Sequence, residues 1–122
     1  MNQHQQTMRV YIMILLLEIL DQGITRAFTL HKEGTTDYDI TMQRIKQYAI
    51  MYINIEIKEI VDKLITLDYH TKDSRIRNRI TQLSSEMTKK AANIDAINLC
   101  STVEDLQEKL TGYTDLQKIE LD

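Results

Sequence analysis

The sequence has no proline in its 122 residues and only three glycines. Proline breaks helix interiors and glycine weakens them by about 1 kcal/mol each, so little here interrupts long helices. A single cysteine, Cys100, excludes an internal disulfide and fits a reducing, cytoplasmic setting. Repeats and low-complexity stretches are missing. The longest apolar run, Val10 to Leu17, is closed by Glu18 and is too short to span a bilayer even when extended to Leu20. The N-terminus lacks the basic region and cleavage site of a secretion signal. A soluble cytoplasmic protein without a membrane partner is expected. His4, His31 and His70 stand alone without metal-ligand spacing. There is no Ser-His-Asp order, glycine-rich phosphate loop or zinc knuckle. No catalytic residue, cofactor or metal is therefore expected.

What is present is an uneven charge distribution. The length suits one domain with one core. Residues 1–43 carry three basic and five acidic side chains, residues 44–90 ten and six, and residues 91–122 two and seven. The net charge of -3 thus hides a basic middle followed by an acidic tail.

Apolar spacing predicts the elements. Thr7 to Leu20 reads as a helix that is apolar nearly all round, with Tyr11, Ile14, Leu15 and the stretch Leu16 to Leu20 on its surface. Such a helix must be buried, either centrally or against a second subunit. Gly23 is the expected stop. Ile24 to Leu30 fits a strand or a short helix, and His31 to Asp37 has loop composition. Asp39 is the expected cap of a helix through Tyr48, followed by a turn over Ala49 to Tyr52. A second helix from about Ile53 to Leu67 carries Ile57, Ile60, Val61 and Leu64 as a one-sided stripe. Its outward face then bears Ile55, Lys58, Glu59, Asp62 and Thr66.

Arg75, Arg77 and Arg79 come next, two residues apart. On an extended strand all three would project from one face. Tyr69 to Lys72 and Arg75 to Leu83 are the expected strands of a β-hairpin turning at Asp73-Ser74. Ser84 or Ser85 would cap a helix to Leu99, with Met87, Ile94, Ile97 and Leu99 as its apolar contacts. Thr102 would cap a segment with Val103, Leu106 and Leu110 on one face, and Leu116, Ile119 and Leu121 suggest a last short turn.

From Ile40 to Ser84 the pattern resembles the MarR superfamily, and within it the staphylococcal accessory regulator (Sar) branch. The carrying residues are Ile40-Thr41-Met42-Gln43-Arg44-Ile45, then Ile57 through Leu67-Asp68-Tyr69, then Arg75 through Leu83-Ser84. The resemblance implies a mainly α winged helix-turn-helix with a small β-hairpin wing and flanking dimerisation helices. Residues 7–23 would form a core or dimer helix, 40–84 the helix-turn-helix and wing, and 85–122 a C-terminal dimerisation segment. It further implies a bacterial transcription regulator that binds double-stranded DNA as a homodimer.

Within that reading Tyr52, Asn54, Ile55 and Lys58 would face bases in the major groove. Lys72, Arg75, Arg77 and Arg79 would hold the flanking backbone, with Arg44 and Lys46 on phosphate. Each has a plainer reading as well: a helix cap for Asn54, a solvated edge strand for the arginines. A second expectation is a small helical protein–protein interaction module, of phage or plasmid origin, favoured by the acidic tail. A third is a nucleotide pyrophosphohydrolase of the MazG type, since Glu56, Glu59 and Asp62 recur at helical intervals and could share metal ions. Cys100 is read as a packed core thiol, with redox sensing as the alternative.

Overall fold

The computed structural model describes residues 3–34 and 37–111. Among these residues four helices follow one another: α1 (Gln3–Lys32), α2 (Tyr38–Leu64), α3 (Ser74–Leu99) and α4 (Val103–Leu110). No strand occurs among the described residues. The suggested turn at Leu116 to Leu121 lies outside them.

The all-helical content agrees with the mainly α expectation, but the winged helix is wrong. Its wing is the first half of α3. Asp73-Ser74 starts a helix and does not turn a hairpin: the Asp73 side chain accepts from the Arg75 backbone N–H at 2.9 Å, as an N-cap does. The apolar residues of this stretch, Ile76, Ile80, Leu83 and Met87, recur at intervals of three and four. Those four line up on one side of a helix; a strand would alternate them between two faces. Ser84 and Ser85, expected as caps, lie mid-helix.

The helix-turn-helix is absent for a similar reason. α2 runs unbroken through Ala49 to Tyr52. Ala-Ile-Met-Tyr contains no residue that stops a helix, and Ala49 and Ile53 continue the buried stripe of Met42 and Ile45. The cap of α2 is Asp37, not Asp39; its Oδ1 accepts from the N–H groups of Asp39 and Ile40 at 2.9 and 3.1 Å.

Gly23 does not end α1 either. It sits inside the helix where α1 meets α2, and a Cβ there would lie 3.2 Å from the Tyr48 ring. The glycine serves close helix approach. α1 ends later, with His31 and Lys32 in its last turn and Gly34 beyond it at φ 71°. Ile24 to Leu30 is therefore helical.

The core is concentrated at one end. Ile24, Ala27 and Phe28 of α1 meet Met42, Ile45, Ala49 and Ile53 of α2, Ile97 of α3 with Cys100 just beyond its end, and Val103, Leu106 and Leu110 of α4. Burying each large side chain contributes about 1.5–3 kcal/mol. α4 is capped by Thr102, whose hydroxyl accepts from the Asp105 N–H at 3.0 Å. It is pinned where the Tyr38 hydroxyl accepts from the Val103 N–H at 2.9 Å. The other end holds a smaller cluster of Ile60, Leu64 and Leu83, flanked by Leu67, Ile80 and Met87. α2 is packed by α1 on one side and α3 on the other. It therefore buries two stripes, which leaves Val61 exposed and Ile55 half-buried against the single-stripe expectation.

Candidate docking surface

Between Met8 and Leu20 eleven of thirteen side chains are apolar, and only Arg9 and Glu18 are charged. α2 covers one stripe of this segment. Leu20 is buried and Met13 and Leu17 are half-buried; with Ile24 and Ala27 they repeat at alternating intervals of four and three. α4 reaches only the other end of the bundle. The remaining apolar side chains face outward: Met8, Val10, Tyr11, Ile12, Ile14, Leu15, Leu16 and Ile19 are 38–61% exposed. A half-exposed large side chain leaves on the order of 80 Å² in water. Eight together present roughly 600 Å², at the top of what a monomer's largest apolar patch shows.

Grooves flank this face. One, of about 220 Å³, lies between Arg9, Ile12, Met13 and Leu16 of α1 and Ile55, Lys58, Glu59 and Asp62 of α2. Arg9 Nη1 meets Asp62 Oδ2 across it at 3.0 Å. Another, of about 230 Å³, opens toward α3 between Met13, Leu17, Glu56, Ile60, Lys63 and Lys90. There Lys90 Nζ pairs with Glu56 Oε2 at 3.1 Å, while Glu56 Oε1 is buried without a hydrogen bond.

The residues expected to touch DNA do not share one surface. Arg75 and Arg79 lie four apart on α3, while Arg77 is turned roughly 160–200° from them around the helix. The guanidiniums therefore do not form a ribbon. Arg75 is 91% exposed and 3.5 Å from Asp73, and Arg79 donates to Gln82 Oε1 at 3.2 Å. Lys72 is exposed in the loop before α3. Asn54 and Lys58 are exposed mid-α2, Tyr52 is half-buried, and Ile55 lines the α1–α2 groove. Arg44 is exposed; Lys46 donates to the Asn98 carbonyl at 3.0 Å, at the C-terminal end of α3 where a cation is favoured.

The acidic trio is divided as well. Glu56 pairs with a cation of α3 and Asp62 with one of α1. Among the described residues no three His, Cys, Asp or Glu side chains come together as a metal site. Cys100 is buried, and its thiol donates to the Ala96 carbonyl. Burial raises its pKa above the ordinary thiol value, with the Asp105 carboxylate acting in the same direction and Lys46 and Lys109 against it. A raised pKa leaves less thiolate to react. No helix among the described residues is long and apolar enough to cross a membrane.

Comparison with protein-family models, curated proteins and solved structures gives no match, so the resemblance to the MarR superfamily rests on the residue pattern alone.

Sequence reasoning marked the first helix as apolar nearly all round. It missed the ion pairs that tie α1 and α3 to α2, because nothing in local spacing links Arg9 to Asp62 or Glu56 to Lys90.

Proposed function

We propose that this chain is a small helical protein–protein interaction module whose working surface is the N-terminal half of α1 with its flanking grooves. One observation carries the reading: eight large apolar side chains stand in water within twelve residues of one helix. Burial of such a surface favours association at about 25 cal/mol per Å² before ordering costs are subtracted. A ridge beside grooves is the shape that accepts an amphipathic helix. The test is selection from a displayed library of amphipathic helices. The chain selects peptides with apolar anchors at i, i+3 or i+4, and i+7, and Ile12→Glu or Leu15→Glu abolishes their binding. Absence of selection, or binding indifferent to both substitutions, contradicts the reading.

A second reading keeps one observation from the sequence. Lys72 in the loop before α3 and Arg75, Arg77 and Arg79 in its first turns make this end of the helix basic and exposed. Duplex DNA would then be held through phosphate contacts without a wing. In a gel shift this predicts affinity that falls with salt, with a shallower slope once the three arginines become alanine. Salt-insensitive or mutation-insensitive behaviour removes it.

A further inference from the structure

We infer that the occupant of the α1 face is a second copy of this chain, its α1 antiparallel to the first. The inference rests on α1 being a docking face and adds the partner and its register.

Area is the first argument. The seam side of α1, which leaves out Val10 and Ile14, gives roughly 500 Å² from each of two copies, on the order of 1,000 Å² together and just under a standard stable interface. The groove beside Ile12 and Leu16 adds to it when its mouth is covered.

Register is the second. Met8, Ile12, Leu15 and Ile19 follow at intervals of four, three and four, which places them along one seam of α1. The inner stripe from Met13 to Ala27 has the same spacing on the far side of the helix. α1 thus carries two seams, and α2 fills one. The outer seam reads the same in both directions. In an antiparallel pair Met8 meets the partner's Ile19, and Ile12 meets the partner's Leu15. Each contact occurs twice, as an isologous interface requires.

Polar groups decide the direction. Tyr11 and Glu18 are seven apart, on one flank of the seam, and both are exposed. Antiparallel packing sets like flanks side by side, bringing the Tyr11 hydroxyl near the level of the partner's Glu18. The phenol donates and the carboxylate accepts. The two Glu18 carboxylates stay roughly 13 Å apart along the axis. The groove rim carries Arg9 and Lys58 against Glu59 and Asp62, two charges of each sign. A copy of the same rim therefore meets no net repulsion, although the whole chain is negative.

Sedimentation equilibrium of the full chain tests the inference. The expected result is a reversible dimer, which Leu15→Glu with Ile19→Glu converts to a monomer of unchanged helix content. Tyr11→Phe weakens the dimer without abolishing it. Direction is read in a Cys100→Ser background. Met8→Cys mixed with Ile19→Cys cross-links by disulfide, and Met8→Cys alone does not. Efficient cross-linking of Met8→Cys alone, or a dimer indifferent to the double substitution, overturns the proposal.

A wild-type monomer at all concentrations also overturns it, and thiol labelling of Leu15→Cys then separates the two readings. Rapid labelling leaves the docking face standing without a self-partner. Slow labelling shows the face covered from within the chain, and both readings fall.

Discussion

The two ends of this bundle are built from the same helices yet finished differently. At the end holding α4, Ile24, Ile45, Ile53, Val103, Leu106 and Leu110 are at most 1% exposed. At the other end the buried cluster shrinks to Ile60, Leu64 and Leu83, while Ile12, Leu15 and Ile19 are 50%, 40% and 61% exposed. Composition does not separate them, since the open end of α1 is the more apolar half. The difference is a missing neighbour: α4 lies across the closed end, and nothing described lies across the open one. Apolar character specifies that a surface is to be buried, not by which chain.

Substitution at matching sites separates the two ends most sharply. Leu106→Ala should cost about 2–5 kcal/mol in urea unfolding, because the closed end has no slack. Ile12→Ala should change the unfolding free energy of the monomer by less than about 0.5 kcal/mol. Its effect belongs to association. Equal losses at both positions would erase the distinction.

The helix crossing between the ends gives the next effect. Gly23→Leu should destabilise by about 1–3 kcal/mol by driving a side chain into Tyr48. Gly23→Ala should be nearly neutral, as the tight approach of the new methyl to the ring offsets the roughly 1 kcal/mol gained in helix propensity. Thermal melting of both variants reads the contrast.

These sites also show how much was legible in the sequence. The Val103–Leu106–Leu110 face and its Thr102 cap were readable because a short amphipathic helix needs only local spacing. The helical wing was readable in principle. Ile76, Ile80 and Leu83 keep helical intervals, while the two-residue recurrence of the arginines imitates a strand. Gly23 was misread because a glycine that ends a helix and one that admits a neighbouring helix look alike until Tyr48 is seen against it. The open face was half legible: the all-round apolar pattern demanded burial, and only the fold shows which stripe α2 takes.

Smaller effects complete the comparison. Asp37→Ala removes the acceptor for two N–H groups and should cost about 1 kcal/mol, measured by urea unfolding. Arg75→Ala, Arg77→Ala and Arg79→Ala should each leave stability within about 0.5 kcal/mol, since these side chains are exposed. Cys100 should alkylate slowly in the folded chain and rapidly in urea. Its folded pKa is raised, so its contribution to stability is complete below the unfolded thiol pKa and declines as pH climbs through the folded value. A small alkaline loss of stability, absent in Cys100→Ser, checks the sign.

Hydrogen exchange followed against protein concentration tests the central claim most directly. If a second copy covers α1, amides of residues 8–20 gain protection as concentration rises, while those of residues 24–31 are unchanged because α2 and α4 already cover them. Protection over residues 8–20 that is independent of concentration would contradict the account.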